Sequence, residues 1–295
     1  MTDSRGTFAR TTLDLLDERP DTALVYAEIS GQYFGAAQRR HPRRVVNVGI
    51  REQLLVSAGA GMALVGMRPV VHTFASFLVE RAFEQVKLDF SHQDVGGVLV
   101  STGGSYDISA GGRTHQAPGD VALMDTLADW TIHVPGHPGE VAESLRLAAA
   151  DSGRHYVRVT DEQNARAYPV RPGTFHRVRT GTRGTVVAVG PTLDPVLEAT
   201  RDADVTVLYA AVVRPFDHAA LRASLGRPDV VLVEPYLAGT SSRVVSDALR
   251  DVPHRLLALG VGRHELRRYG TPAEHRAAHG LDAAGIRRAL DAFLA

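Results

Sequence analysis

Along the 295 residues, short runs of β-branched and aliphatic side chains alternate with longer segments in which apolar residues recur at helical spacing. The runs Thr22–Tyr26, Val45–Val48, Pro69–His72, Gly97–Ser101, Thr131–Val134 and Tyr156–Val159 predict strands, with helices between them. Strands apolar at nearly every position are buried on both faces, which calls for a mainly parallel sheet with helices on either side. From about Asp161 to Gly184 the pattern stops, and Pro169, Pro172, Gly173, Gly181 and Gly184 punctuate a polar, arginine-rich stretch. The alternation then restarts, with strands at Thr185–Val189, Val205–Tyr209, Val230–Val233 and Arg255–Leu259 and helices at Asp217–Leu225 and Ser241–Arg250. The expected fold is therefore α/β: a doubly wound, mainly parallel sheet over 1–165, a linker over 166–183 and a smaller α/β domain over 184–295. Near the end, Thr271-Pro272-Ala273-Glu274 has the pattern of a capping box and predicts a helix start. A closing helix over Asp282–Leu294 sets Ile286, Leu290 and Phe293 on one face.

Composition narrows the function more than the fold. Lys+Arg and Asp+Glu balance at 33 each, so no net field draws the chain to nucleic acid or an anionic membrane, and phosphorylated ligands would have to meet local arginines. The absence of cysteine rules out disulfides and thiol catalysis. The start, Met1-Thr2-Asp3-Ser4-Arg5, has no apolar segment like that of a signal peptide, and no stretch is apolar for long enough to span a bilayer. The expectation is a cytoplasmic enzyme or enzyme subunit, the alternative a binding or regulatory subunit.

Three segments could carry chemistry. Asn47-Val48-Gly49-Ile50-Arg51-Glu52-Gln53 turns from a strand end through glycine into a helix, where ligands of open α/β sheets gather. Glu52 there is either a reactive carboxylate or a solvated partner of the helix dipole. The glycine-rich loop from Thr102 to Gln116 contains His115 but has neither P-loop nor dinucleotide-motif spacing. Phe74-Ala75-Ser76-Phe77 follows a third strand, and its rings belong either to the core or to a stack on a flat heterocycle. His133 and His137 have the spacing of a helical metal pair, but Pro135, Gly136 and Pro138 break the helix. Gly119-Asp120-Val121 lacks the second glycine of a magnesium-binding Gly-Asp-Gly, and Arg39-Arg40-His41-Pro42-Arg43-Arg44 reads as a solvated loop.

In this order the segments resemble the C-terminal half of transketolases, and in particular the small subunit of split transketolases. Val48-Gly49-Ile50-Arg51-Glu52-Gln53 is similar to the family's Gly-Val/Ile-Arg/Ala-Glu-His/Gln signature, and His72-Thr73-Phe74-Ala75-Ser76-Phe77 to its Ser-Thr-Phe-x-x-Phe segment. Arg113-Thr114-His115-Gln116 is similar to its Gly-x-Thr/Ser-His-Gln element. In the second half, Val213-Arg214-Pro215-Phe216-Asp217 resembles Ile-Lys-Pro-Leu-Asp, Val233-Glu234-Pro235-Tyr236 stands where Glu-Glu-His is common, and Gly270-Thr271-Pro272-Ala273-Glu274 resembles Gly-Thr-Pro-Glu-Glu.

The resemblance implies a thiamine-diphosphate pyrimidine-binding domain followed by a transketolase C-terminal domain. It further implies transfer of a two-carbon ketol unit from a ketose-type donor to an aldehyde. The diphosphate and Mg2+ would be held by a separate large subunit, in an assembly of the α2β2 kind. Glu52 would bond N1′ of the aminopyrimidine, Phe74 and Phe77 would line that ring, and Glu28 would lie near the thiazolium. His115 would handle protons on substrate oxygens, and Arg5 and Arg158 would hold the substrate phosphate. Two departures stand out: Gly103 replaces a histidine that helps bind phosphate, and Ala110-Gly111 replaces a Glu-Asp pair whose aspartate reads a sugar hydroxyl. A site without that hydrogen bond should not insist on ordinary sugar phosphates. An altered substrate is expected, with Asp107, Tyr106 or Arg113 as replacement contacts. Other readings are a subunit like 1-deoxyxylulose-5-phosphate synthase, one like the beta chain of 2-oxo acid dehydrogenases, and a silent structural partner.

Overall fold

The computed structural model describes residues 3–264 and 266–295, so Met1 and Thr2 of the N-terminal segment considered above lie outside the described residues. The first half runs α1 (Ser4–Glu18), β1 (Thr22–Tyr26), α2 (Gly31–Arg40), β2 (Val45–Asn47), α3 (Glu52–Leu64) and β3 (Arg68–Phe74). The chain then winds through a π-helical turn (Ser76–Arg81), the short α4 (Phe83–Gln85) and a second π-helical segment (Val86–His92) into β4 (Gly97–Thr102). Two 3-10 turns, Ser109–Gly111 and Arg113–His115, lead to α5 (Asp120–Met124), β5 (Trp130–His133), α6 (Pro138–Ala150) and β6 (Arg154–Arg158). The second half comprises β7 (His176–Arg179), β8 (Thr185–Val189), α7 (Leu193–Ala199), β9 (Thr206–Ala210), β10 (Val212–Arg214), α8 (His218–Ala223) and β11 (Asp229–Leu237). It ends with α9 (Ser242–Ala248), β12 (Arg255–Val261), α10 (Pro272–Ala278) and α11 (Ala283–Leu294).

The first sheet has the order β10-β5-β6-β4-β3-β1-β2, with β1 to β6 parallel. Successive side chains divide between two cores, as the period of a strand requires. Leu24, Tyr26, Val70, Val98 and Val100 pack with Phe8, Leu16, Phe34, Val141 and Leu145 of α1, α2 and α6. Val25, Val71 and Leu99 pack on the other face with Leu55 and Val56 of α3 and with Val86 and Phe90. The smaller sheet, β12-β11-β8-β9-β7, is parallel except for β7 and is likewise covered on both faces. The doubly wound α/β arrangement expected from the apolar runs is present, and the chain ends of β1, β2, β3, β4 and β6 all open onto one edge.

Three features depart from the expected pattern. β7 lies inside the stretch expected as a linker; it is a half-exposed, arginine-rich edge strand, and an edge tolerates charges that interrupt an apolar run. β10 continues the apolar run of β9 but leaves its sheet, and pairs antiparallel with β5 of the first sheet. The backbone N–H of Val134 bonds the carbonyl of Ala211 at that crossing, 2.8 Å. One core cluster correspondingly runs from Val25 and Leu99 to Val187 and Leu232. The third departure is the π-helical winding after β3, which positions the residues described next. At the chain's end the capping box is formed, with Thr271 N–H on Glu274 Oε2 at 2.8 Å and Glu274 N–H on Thr271 Oγ1 at 3.3 Å. No helix among the described residues is long and apolar enough to cross a membrane.

Candidate functional site

β2 ends one short turn before α3, and Gly49 takes the positive φ (69°) that reverses the chain there. Glu52 is thereby set in the first turn of α3, 2% exposed. A buried carboxylate needs a partner, and Arg81 supplies one: Nη1 lies 2.8 Å from Glu52 Oε2. Arg81 closes the π-helical turn after β3, and its guanidinium carbon sits 4.0 Å from the centroid of Phe77, a close cation–π contact. Phe77 in turn meets His115 edge-on at 5.3 Å between centroids, and Phe74 lies 6.0 Å from Phe77 and 6.1 Å from His115. Thr114 Oγ1 is 2.9 Å from His115 Nδ1. Glu52, Phe74, Phe77 and His115 thus form one wall at the carboxyl edge of the sheet, joined by Arg81.

A second group borders this wall. His72 is fully buried, and its Nδ1 is 2.9 Å from the carbonyl of Val100, which can only accept. Nδ1 therefore carries the proton, and burial pushes the ring's pKa down to about 3, so Nε2 is a free acceptor. Ser30 Oγ, 3.0 Å away, donates to Nε2 and accepts from Arg5 Nε at 3.1 Å. The chain of bonds fixes Arg5, whose guanidinium carbon is 5.8 Å from the Phe74 centroid. Glu28 and Ser30 both hold positive φ, 59° and 64°, a conformation costing roughly 1–2 kcal/mol per non-glycine residue. Glu28 is exposed and locked to Asn47 by two bonds of 3.2 Å, one through its backbone N–H and one through its carboxylate.

Arg158 lies deeper than this wall. It is fully buried, with Nε 2.7 Å from Asp120 Oδ2 and Nη2 2.6 Å from Ser105 Oγ, and Tyr156 donates to the same Asp120 oxygen at 2.8 Å. Only Nη1 lacks a protein partner. A charge this deep must be neutralised locally, so Arg158 braces the glycine-rich loop from beneath and does not face a solvent-borne phosphate. Asp107 accepts the backbone N–H of Asp161 at 3.2 Å, and burial raises its carboxyl well above the usual range although Arg158 opposes this. Tyr106 is buried against His275 and His279, at 6.1 and 6.0 Å between centroids. Arg113 is exposed and bonds the Gln116 carbonyl at 3.1 Å.

Both departures from the family pattern have a packing reason. A Cβ on Gly103, whose φ is +71°, would meet Ile108 Cδ1 at 2.4 Å, so the Ile108 side chain, packed from the loop itself, fills the space that a side chain at 103 would enter. A Cβ on Gly111 would crowd the His115 ring at 3.0 to 3.2 Å. Among the described residues no group of three or more His, Asp or Glu is placed to hold a metal, and the carboxylate of Asp120 is committed to Arg158 and Tyr156. Arg81 and Ser30 have no place among the sequence candidates, and Asp120 enters there only as part of an incomplete magnesium motif. The one available signal was the four-residue spacing of Phe77 and Arg81, which stacks two side chains on one helical face.

Residues 2–166 match the family described as transketolase, pyrimidine binding domain. An uncharacterised 33.6 kDa protein of the fasciation locus of Rhodococcoides fascians is 50% identical over 297 residues, covering 99% of this chain and 95% of that protein. The 1-deoxy-D-xylulose-5-phosphate synthase of Thermus thermophilus is 32% identical over 86% of this chain, which spans only 42% of the synthase. A solved structure described as a split gene transketolase, an inactive β4 tetramer, superposes with a TM-score of 0.87 at 25% identity, covering 100% of this chain and 99% of that one. The domain match over more than half the chain, and the end-to-end superposition on a split-gene homologue, mean that this chain belongs to the transketolase family as a counterpart of its C-terminal half.

Proposed function

We propose that the chain is the small subunit of a split, thiamine-diphosphate-dependent transferase that moves a two-carbon ketol unit from a ketose-type donor to an aldehyde. A large subunit would supply the diphosphate and Mg2+ site. The observation that carries this reading is the pairing of a buried carboxylate, Glu52, with the face of Phe77 at the carboxyl edge of the sheet. A flat ring bearing N–H groups fits that pair, because the planar N–H fork of Arg81 already satisfies both surfaces. Bound there, thiamine diphosphate supplies an electron sink for breaking a carbon–carbon bond beside a carbonyl. Glu52 would share a proton with the pyrimidine N1′, its carboxylate accepting once that nitrogen is protonated, while Phe77 and Phe74 would orient the ring and keep water from it. Glu28, just beyond β1, would lie near the thiazolium.

His115, set on the aromatic wall, moves protons on substrate oxygens, and Arg5 takes the anionic end of the substrate. Arg158 positions the loop instead. Gly111 has no side chain to make the sugar-hydroxyl bond, and Asp107 or Arg113 would supply a replacement contact, which supports a donor or acceptor different from ordinary sugar phosphates. The structural relative, an inactive tetramer of one chain from a split gene, supports a requirement for a second kind of subunit. Apolar side chains left exposed along α3, Ile50 at 72% and Leu54 near Glu52, and Val65 at 79% and Leu64 at the helix's other end, support subunit contacts along this helix in an α2β2 assembly. The expected setting is the cytoplasm.

The 32% identity to the Thermus synthase favours a second reading, a carboligation of the 1-deoxy-D-xylulose-5-phosphate synthase kind. One experiment separates them. The chain is co-purified with a large chain carrying Gly-Asp-Gly, loaded with thiamine diphosphate and Mg2+, and given a panel of ketose and 2-oxo acid donors with mass spectrometry of the products. Two-carbon transfer from a ketose-type donor is expected. Turnover of 2-oxo acids alone would establish the second reading, and no turnover with any donor would overturn both.

A further inference from the structure

We infer that Arg81 is a built-in occupant of the ring seat: its guanidinium covers the face of Phe77 beside Glu52 until a planar N–H-bearing heterocycle displaces it. The inference rests on the reading of Glu52 as the acceptor for such a ring.

A single guanidinium touches both surfaces, 2.8 Å from Glu52 Oε2 and 4.0 Å from the Phe77 centroid. The face it covers is therefore the one next to the carboxylate. A ring that stacks on that face while donating to Glu52 needs the same slot, and the two cannot be present together. The match is chemical as well as spatial. A guanidinium is flat, delocalised and rich in N–H donors, which are the properties an aminopyrimidine presents to a carboxylate and an aromatic face. Glu52, only 2% exposed, is thus never left without a hydrogen-bonded partner, first the arginine and then the ring.

Release is built into the same turn. The Arg81 side chain is 41% exposed, so it can swing into water without opening a cavity. Its backbone stays in place, because Gln53 Nε2 bonds the Arg81 carbonyl at 3.4 Å and the π-helical turn ends there. Displacement is a side-chain rotation and leaves Phe77 where it was. Arg81 is accordingly a positioning residue that sets a threshold for what can enter: a ligand must offer both a flat face and an N–H donor to replace what the arginine gives up.

The test titrates the full chain with 4-aminopyrimidine, a ring without thiazolium or diphosphate, following ligand line widths and the Arg81 Nε–Hε signal by NMR. The signal is assigned by its absence from Arg81→Lys. Addition of the ring should move that signal, and Arg81→Ala should bind the ring about tenfold more tightly than wild type, equivalent to about 1.4 kcal/mol. Arg81→Lys, which keeps a charge for Glu52 but no flat face for Phe77, should fall between them and guards against misfolding of the alanine variant. Equal affinities in the three proteins with an unmoved Arg81 signal would overturn the inference while leaving Glu52 as the ring's acceptor. Unchanged ring binding in Glu52→Gln would overturn the reading of Glu52 itself, and the inference with it.

Discussion

At the scale of single residues, His72 shows a protonation state dictated by its neighbours. Its ring lies 4.4 Å from Phe8 and 6.3 Å from Phe34 between centroids, donates to Val100 and accepts from Ser30. Burial, aided by the charge of Arg5 and opposed by the Val100 bond, lowers its pKa from 6.5 to about 3. Between those values the unfolded chain binds the proton and the folded chain does not, so this residue removes stability as pH falls through the window. The loss is about 1.4 kcal/mol per pH unit in its interior. Denaturation of wild type and His72→Gln at a series of pH values should show wild type losing ground to the variant between about pH 6 and pH 4; parallel curves would contradict the assignment. Glu52, Phe74, Phe77 and His115 were legible in the sequence because each sits in a motif at a strand end. The surroundings of Arg158 were not legible there, since an arginine ending a strand looks the same whether it faces solvent or an aspartate 38 residues earlier that the fold brings beneath it.

Among the elements, the buried strands were legible and the irregular ones were not. Thr22–Tyr26 and Thr185–Val189 have the bounds their apolar runs predict, because strands covered on both faces leave no polar position to blur the signal. The edge strand β7 and the π-helical turns depend on tertiary packing, and no local period marks them. The pair Arg158–Asp120 works at this scale, tying β6 to α5 and, through Ser105, to the loop that presents His115. Asp120→Asn keeps the shape but leaves a fully buried guanidinium without its counter-charge. It should lower unfolding free energy by about 3–5 kcal/mol in urea titrations. A loss below about 1 kcal/mol would mean that the pair does not brace the loop.

For the molecule as a whole, β10 makes the two sheets one body. Arg214, at its end, pairs with Asp125 through Nε and through Nη2 at 2.8 Å, and reaches Ser241 Oγ at 3.2 Å, so residues from both halves converge on one guanidinium. Asp125→Ala should speed hydrogen exchange at Val134 and along β5 and β10 before it affects the interior of either sheet. Uniform exchange behaviour in the variant would show that the sheets are held together elsewhere. The same joined body presents Glu52 at the carboxyl edge beside an exposed apolar face, the arrangement expected of a half-site completed by another chain. The central claim, that Glu52 is the carboxylate through which this chain activates a cofactor held jointly with a large subunit, is tested most directly by turnover of the reconstituted complex with wild type and with Glu52→Gln. Turnover should require both chains and fall roughly 10²–10⁴-fold in the variant. Turnover by Glu52→Gln within about twofold of wild type would contradict it.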